Sequence, residues 1–443
     1  GSLYVCVGGR GTRGGVYRIR YVGDAGHATQ TNTANPLTTN EKLDQVLSAN
    51  QPLSSWSRAK WKPLALELGA TPFREAAHNQ AEPAAKRVRA IEVLVELFQG
   101  INLETLKGLA SSDSPEVRAR GIWAYGRSAV DPCDAAIIQT YLDDPSPLVA
   151  RSALEMCQFL NQPDFDWPKI VPGLSRRLGG VDRFNRTLAA AVVARMEEKY
   201  LPAVSESATK LGARAVISYA IGWLVRSNDN ARRVRSVIPS LAISVLKKKE
   251  YPVELKLDAV RLLQLTLGDM GPGPDRPPVF DGYASSLNLD EFERELDPLR
   301  VQLAEIFPTG APVLDDELIR LFAMITTFNG KVIDAICDRL TPTSDPVDDI
   351  HRLVALARCP MTHSVKQRDQ IVSGLVDLEE KMAIRSLAQD ASWGDRVKEM
   401  WLKLALADRY LAPAIVSHPK FGRPGHTIFL NQMPPELLPT ART

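Results

Sequence analysis

The sequence predicts an all-α protein: a solenoid of antiparallel helix pairs stacked in a right-handed superhelix, preceded by a short β-hairpin. Three observations carry this. From Trp56 onward apolar residues recur at spacings of three and four, as in AIEVLVELF, LVARSALEMCQFL and VKEMWLKLALADRYL, the stripe of a helix with one buried face. Turn signals such as SSDSPE, DDPSP, RSNDN and TPTSDP cut these stripes at short intervals. The cuts also repeat. EPAAKRVRAIEVL, DSPEVRARGIWAYG and DPSPLVARSALEMC align on Val88, Val117 and Val149, in steps of 29 and 32 residues.

Taken in order, residues 3–23 read as two alternating strands, LYVCV and GVYRIRYV, around a glycine cluster. Residues 24–55, rich in Thr, Asn, Gln and Ala, read as a linker. Helix pairs then run over 56–268. A Pro/Gly-rich surface loop is expected over 269–298, and a second run of pairs with a C-terminal cap over 299–443. Each repeat sets Asp, Glu, Ser or Pro before a helix carrying Val and Arg early and then a small residue, Ala90, Gly121 or Ala153. Looser copies start near Asp182, Pro252, Pro346 and Asp395. Two helices per period of about 30 to 40 residues indicate units stable only against their neighbours. The pattern resembles the HEAT repeat, most clearly over 84–160.

Composition narrows the function. With 44% apolar and 24% charged residues the chain is ordinary for a soluble protein, and no apolar run reaches the length of a membrane span. The opening GSLYVCV lacks the plan of a signal peptide and reads as part of a longer chain. A formal net charge of +2 excludes an overall polyanion-binding composition. The charge is uneven, however. Residues 171–249 hold 15 basic and 5 acidic residues, and 269–320 hold 12 acidic and 4 basic. The basic segment supplies a candidate binding face of Arg176, Arg177, Arg232, Arg233, Arg235, Lys247, Lys248 and Lys249. The acidic segment that follows is the expected intramolecular counter-charge.

Catalytic motifs are missing. GGRGTRGGVYRIRY fits the outline of a phosphate-cradling glycine loop, but a strand follows where a dinucleotide site needs a helix N-terminus. The lysine, H-R-D and D-F-G set of a kinase is absent too, so the glycines are expected to turn a hairpin and bind no nucleotide. No H-E dipeptide occurs among the six histidines. His418 and His426 flank PKFGRPG, expected to form a packed cap. The five cysteines form no C-x-x-C. Free thiols are the default, with Cys133 and Cys157 the pair that antiparallel helices could bridge in an oxidising compartment. Trp123, Tyr125, Tyr219 and Trp223 could serve nucleic-acid stacking, but each also fits a core stripe.

The opening LYVCVGGRGTRGGVYRIRYVG resembles the closing strands of sugar-dehydrogenase-like β-propellers. Downstream, FPTGAPVLDDELIRLFAMI, DDIHRLVALARC and HPKFGRPGHTIF are similar to landmarks of the membrane-bound dehydrogenase-like proteins of planctomycete-type bacteria. In those proteins a propeller precedes a HEAT-repeat region and often a c-type cytochrome domain. The resemblance implies that this chain holds the last propeller strands plus the HEAT region, with no membrane-spanning segment. The propeller body with its quinone site is missing, so the resemblance implies no catalytic residue, metal or cofactor here. It implies instead a non-catalytic scaffold that binds domains of its parent chain or another protein, in an exported or periplasmic setting. The parent would be a quinone-dependent sugar dehydrogenase-like oxidoreductase. The alternative is a solenoid that binds nucleic acid or another polyanion, of DNA-glycosylase type.

Overall fold

A computed structural model describes residues 2–7, 15–20, 37–49, 57–128, 134–160, 165–226, 233–269 and 278–430. It is a HEAT-like α-solenoid preceded by a hairpin, with 22 α-helices among the described residues. The chain divides into two compact units, one ending at Arg226 and the other running from Ser227. The break falls in sequence at the polar stretch SNDN, which lies outside the described residues.

Strands β1 (Ser2–Val7) and β2 (Gly15–Arg20) pair antiparallel, with Leu3 opposite Ile19 and Val5 opposite Tyr17. Alternation puts these four on one face. That face is uncovered in the single chain: Leu3, Tyr17 and Ile19 are each more than half exposed. The glycine loop between the strands lies outside the described residues.

The first unit then contains α1 (Thr39–Leu47), α2 (Arg58–Leu68), α3 (Thr71–His78), α4 (Ala84–Leu97), α5 (Leu103–Ala110) and α6 (Pro115–Tyr125). It continues with α7 (Ala135–Leu142), α8 (Pro147–Cys157), α9 (Trp167–Gly179), α10 (Arg183–Arg195), α11 (Leu201–Leu211) and α12 (Ala213–Arg226). Helix α1 corrects the linker reading. Thr38 Oγ1 accepts from the Glu41 amide at 3.3 Å and the Glu41 carboxylate accepts from the Thr38 amide at 2.7 Å, a reciprocal cap that nucleates a helix in a polar stretch.

Each odd-numbered helix packs on the even-numbered helix that follows it. The even-numbered helices from α4 to α12 also pack side by side, as do α7, α9 and α11. Two layers result, with Ile91, Leu94, Leu106, Leu109, Ile122, Ile138 and Leu142 enclosed among the core residues. The close approach depends on small residues. A Cβ built on Gly222 would lie 2.4 Å from the Ala190 carbonyl oxygen, so α10 and α12 meet at backbone distance.

The repeat register is clearest in an arginine. Arg87, Arg118, Arg186 and Arg368 each sit four residues past a helix N-cap: Pro83, Ser114, Asp182 and Ser364. Each donates to a carbonyl of the preceding segment: Ala77 (3.0 Å), Ser112 (2.8 Å), Val181 (2.8 Å) and His363 (3.2 Å). The valine alignment is therefore offset at its first member. Val117 and Val149 are fully enclosed at the third helical position, whereas Val88 is half-buried and Arg87 matches Arg118.

The second unit contains α13 (Ile238–Lys247), α14 (Val253–Thr266), α15 (Glu293–Ile306), α16 (Pro312–Met324), α17 (Gly330–Cys337) and α18 (Pro346–Ala357). After these come α19 (Val365–Ile384), α20 (Trp393–Ala407), α21 (Leu411–Val416) and α22 (Thr427–Leu430). Here α14, α16, α18 and α20 form the even-numbered layer. The expected surface loop over 269–298 is corrected on two counts. Helix α15 begins inside it, and Phe280, Ala284 and Leu287 are buried. These apolar residues let residues 278–287 lie down as a strap; residues 270–277 of the expected loop lie outside the described residues.

Candidate interaction surface

The stripe that faces solvent along α4, α6, α8 and α10 is built from arginines and aromatics. Arg120 and Trp123 of α6 and Arg127, two residues past its end, follow at three and four residues and share one face. The Trp123 ring is sandwiched, with the Arg120 guanidinium 4.6 Å and the Arg127 guanidinium 4.4 Å from its centroid. Arg127 also stacks on Phe159 at the end of α8, at 4.9 Å. Further along, Arg151 of α8 and Arg183 of α10 lie 5.0 and 4.9 Å from the Phe184 ring. Carboxylates from adjacent helices knit the stripe. Glu92 pairs with Arg120 at 3.3 Å, Glu155 with Arg127 at 2.7 Å and Asp182 with Arg151 at 3.9 Å.

Phe159 is 56% exposed and Phe184 52% exposed. A core has no need of either. Stacked guanidiniums keep their N–H edges available while shielding an aromatic face, so the stripe offers apolar area and directed donors together. Trp, Tyr and Arg dominate the energetic centres of protein interfaces. The sequence contained this signal, but the spacing that makes Trp123 one face of a helix is also the spacing of a core stripe. Tyr125 does lie in the core, while Trp123, Tyr219 and Trp223 are half-buried.

The basic candidates fall in both units. In the first unit Arg176 donates through Nε to Asp143 at 3.1 Å, and Arg177 donates to the carbonyls of Leu142 (2.6 Å) and Asp144 (2.8 Å). In the second unit Arg233 is buried, Arg235 pairs with Glu295 at 2.8 Å and Lys247 with Glu305 at 3.5 Å. Lys248 lies 3.9 Å from Glu250, and Lys249 is exposed. Arg232 lies outside the described residues, as does Cys133 of the Cys133–Cys157 pair that antiparallel helices could bridge.

Several titratable groups of the second unit are enclosed. His426 is buried, with its Nδ1 accepting from the Gly422 and Arg423 amides and its Nε2 donating to the Val376 carbonyl at 3.1 Å. That ring fastens the C-terminal cap. His363 and Asp408 contact at 3.3 Å with both side chains wholly inaccessible. Burial pushes the Cys337 and Cys359 thiols up to about 12, far from the thiolate a nucleophile requires. Among the described residues no cluster of metal-ligating side chains occurs, and no helix is long and apolar enough to cross a membrane.

In the second unit the strap crosses the even-numbered layer. Ser285 and Ser286 donate to the carbonyls of Leu267 (2.8 Å) and Gly268 (2.9 Å), just past α14. The Tyr283 hydroxyl meets His351 Nδ1 on α18 at 2.7 Å, and His351 Nε2 meets the Asp316 carbonyl of α16 at 3.0 Å. Since only a protonated Nε2 can donate to a carbonyl, Tyr283 is the donor to Nδ1. Burial raises the tyrosine and lowers the histidine, so both stay neutral. Arg320 and Arg358 lie 5.6 and 5.9 Å from the Tyr283 and Phe280 rings. The Val279 amide reaches Glu399 of α20 at 3.3 Å. A cavity of about 290 Å³, lined by Tyr283, Val354, Met382, Trp393 and Met400 among others, stays open beside the strap.

No model of a known protein family matches the chain, and no curated protein sequence matches it. Solved structures do. One is Kap121p bound to Nup53p, 10% identical with a TM-score of 0.38, matched over 89% of this chain and 56% of that one. Another is Kap121p bound to Pho4p, 12% identical with a TM-score of 0.37, over 89% and 52%. The chain thus spans about half the length of these structures. A likeness of that size lends nothing about partners or activity.

Proposed function

We propose that this chain is a non-catalytic α-solenoid scaffold, the interaction region of a larger protein, and that it binds a protein partner along the Arg–aromatic stripe of α6, α8 and α10. The exposed Phe159–Arg127–Trp123 stack carries the reading. It places apolar area and guanidinium edges where the helical core needs neither. The enclosure of His363, Asp408, Cys337 and Cys359 supports a scaffold over an enzyme. The resemblance of the hairpin and of the HPKFGRPGHTIF cap supports a parent of the propeller-bearing, dehydrogenase-like kind, exported from the cytoplasm. In such a parent the hairpin would complete a propeller blade.

A photo-reactive benzoylphenylalanine placed at position 159 of the full chain tests the reading in extracts of the source cells. The expected adduct is protease-sensitive and nuclease-resistant, and a benzoylphenylalanine at exposed Val347 does not form it. Adducts made only with nucleic acid or polysaccharide, or none at all, would overturn the proposal and promote the polyanion-binding alternative.

A further inference from the structure

The even-numbered layers of the two units have equivalent surfaces, and one of them is already covered. Counted from the N-cap, Phe159 of α8 and Arg358 after α18 both stand thirteen residues on, from Ser146 and Asp345. Arg151 and Ile350 both stand five on. Trp123 of α6 and Arg320 of α16 stand nine past Ser114 and Ala311. On the second unit these positions lie against the strap. Arg320 meets the Tyr283 ring, Arg358 meets the Phe280 ring, and Ile350 lines the adjoining cavity with Tyr283. On the first unit no strap is described over them: Phe159 is 56% exposed, and Arg151 and Trp123 are half-buried.

Resting on the proposed scaffold function, we infer that the stripe of α6, α8 and α10 takes an extended segment of a partner protein bearing aromatic and acidic residues, laid across the helices along the kind of path that residues 278–287, a short 3-10 helix followed by turns and bends, take across the second unit. Three features fix the chemistry of the occupant. The strap shows that this layer accepts a chain running across successive helices, anchored by aromatic rings beside arginines. The exposed rings of Phe159 and Phe184 offer such a chain stacking partners. Arg120, Arg127, Arg151 and Arg183 outnumber the carboxylates Glu92, Glu155 and Asp182 on the stripe, and one carboxylate satisfies at most two of the five donors of each guanidinium. The surplus donors point to carboxylates on the occupant. A basic segment would instead meet the arginines as like charges.

The probe is a fluorescein-labelled decapeptide of alternating Asp and Phe, titrated against the full chain by fluorescence anisotropy. Saturable binding is expected, weakened about tenfold by the double substitution F159A/F184A and unchanged by V347A on the second unit. Peptides of alternating Asp and Ala, or Lys and Phe, should bind at least about tenfold less tightly. Both phenylalanines are exposed, so an unchanged thermal midpoint of F159A/F184A confirms that it folds. Absence of saturable binding, or equal affinity for the parent and F159A/F184A, overturns the extended-segment inference. Should that occur while position 159 still cross-links to protein, the scaffold reading stands and only the mode of binding is wrong.

Discussion

Arg118 and Arg176 each pair with an aspartate of the turn after α7, yet their surroundings predict different consequences of removal. Arg118 grips Asp144 through two bonds, at 2.7 and 3.0 Å, and also donates to the Ser112 and Asp113 carbonyls, with most of its side chain buried. Arg118→Ala strands a partly buried carboxylate and two carbonyls, and is expected to destabilise the first unit by about 2–3 kcal/mol. Arg176 is half exposed, where water screens the pair, and Arg176→Ala should stay within about 0.5 kcal/mol. Urea unfolding of the two variants checks the contrast; equal shifts would remove the role assigned to the N4 arginine. Histidines set the pH response. Burial lowers His78, His351 and His363 below their ordinary value of 6.5. The unfolded chain therefore binds more protons than the folded one just below that value. Stability is present in full above about pH 6.5 and is lost as pH falls through the folded-state values. A thermal midpoint that does not drop between about pH 7 and 5 contradicts this, and His363→Gln should flatten the slope.

At the scale of elements, most helices were legible because a 3.6-residue stripe and a capped turn state the same boundary twice. Asp182, Pro252 and Pro346, read as repeat starts, are the N-caps of α10 and α14 and the first residue of α18. What escaped was local chemistry inside polar or Pro/Gly-rich stretches: the Thr38–Glu41 cap that makes α1, and the buried Phe280 of the strap. The Arg–aromatic stripe escaped for another reason. Periodicity reports which residues share a helix face but not whether that face meets protein or water, so Trp123 fitted a core stripe as well as an open face. Helix contact makes a prediction of its own. Gly222→Ala drives a methyl into the Ala190 carbonyl and Val193, and should cost about 1–3 kcal/mol through displaced backbone. Differential scanning calorimetry of G222A measures it; a neutral result means that α10 and α12 separate freely. The hairpin stands at the opposite extreme. Two strands with an exposed apolar face are marginal in water. Amides of Leu3–Val7 should exchange with solvent at nearly unprotected rates while those of α6 and α8 stay protected. Slow exchange at the hairpin would mean that its apolar face is covered.

For the whole molecule the open question is charge. The sequence sets 15 basic residues in 171–249 against 12 acidic ones in 269–320, and composition alone allows either a polyanion site or internal neutralisation. Two of the carboxylates, Glu295 and Glu305 on α15, lie beside Arg235 and Lys247. Arg176 and Arg177 are held by Asp143 and by turn carbonyls within the first unit. Binding a polyanion would require these cations to exchange an existing partner for a phosphate or sulfate, which reduces the gain from each contact. Counterion release gives a polyanion-binding protein that engages six or more phosphates an affinity falling about a thousandfold or more between 50 and 200 mM salt. With Arg176, Arg177, Arg235 and Lys247 already engaged, this chain should leave a heparin column well below physiological salt. Its weak affinity for duplex DNA should show a log–log salt slope of magnitude no more than about 2. Retention at high salt, or a slope several times steeper, would show that the basic segment is a free binding surface and would move the function from protein scaffold to polyanion binding.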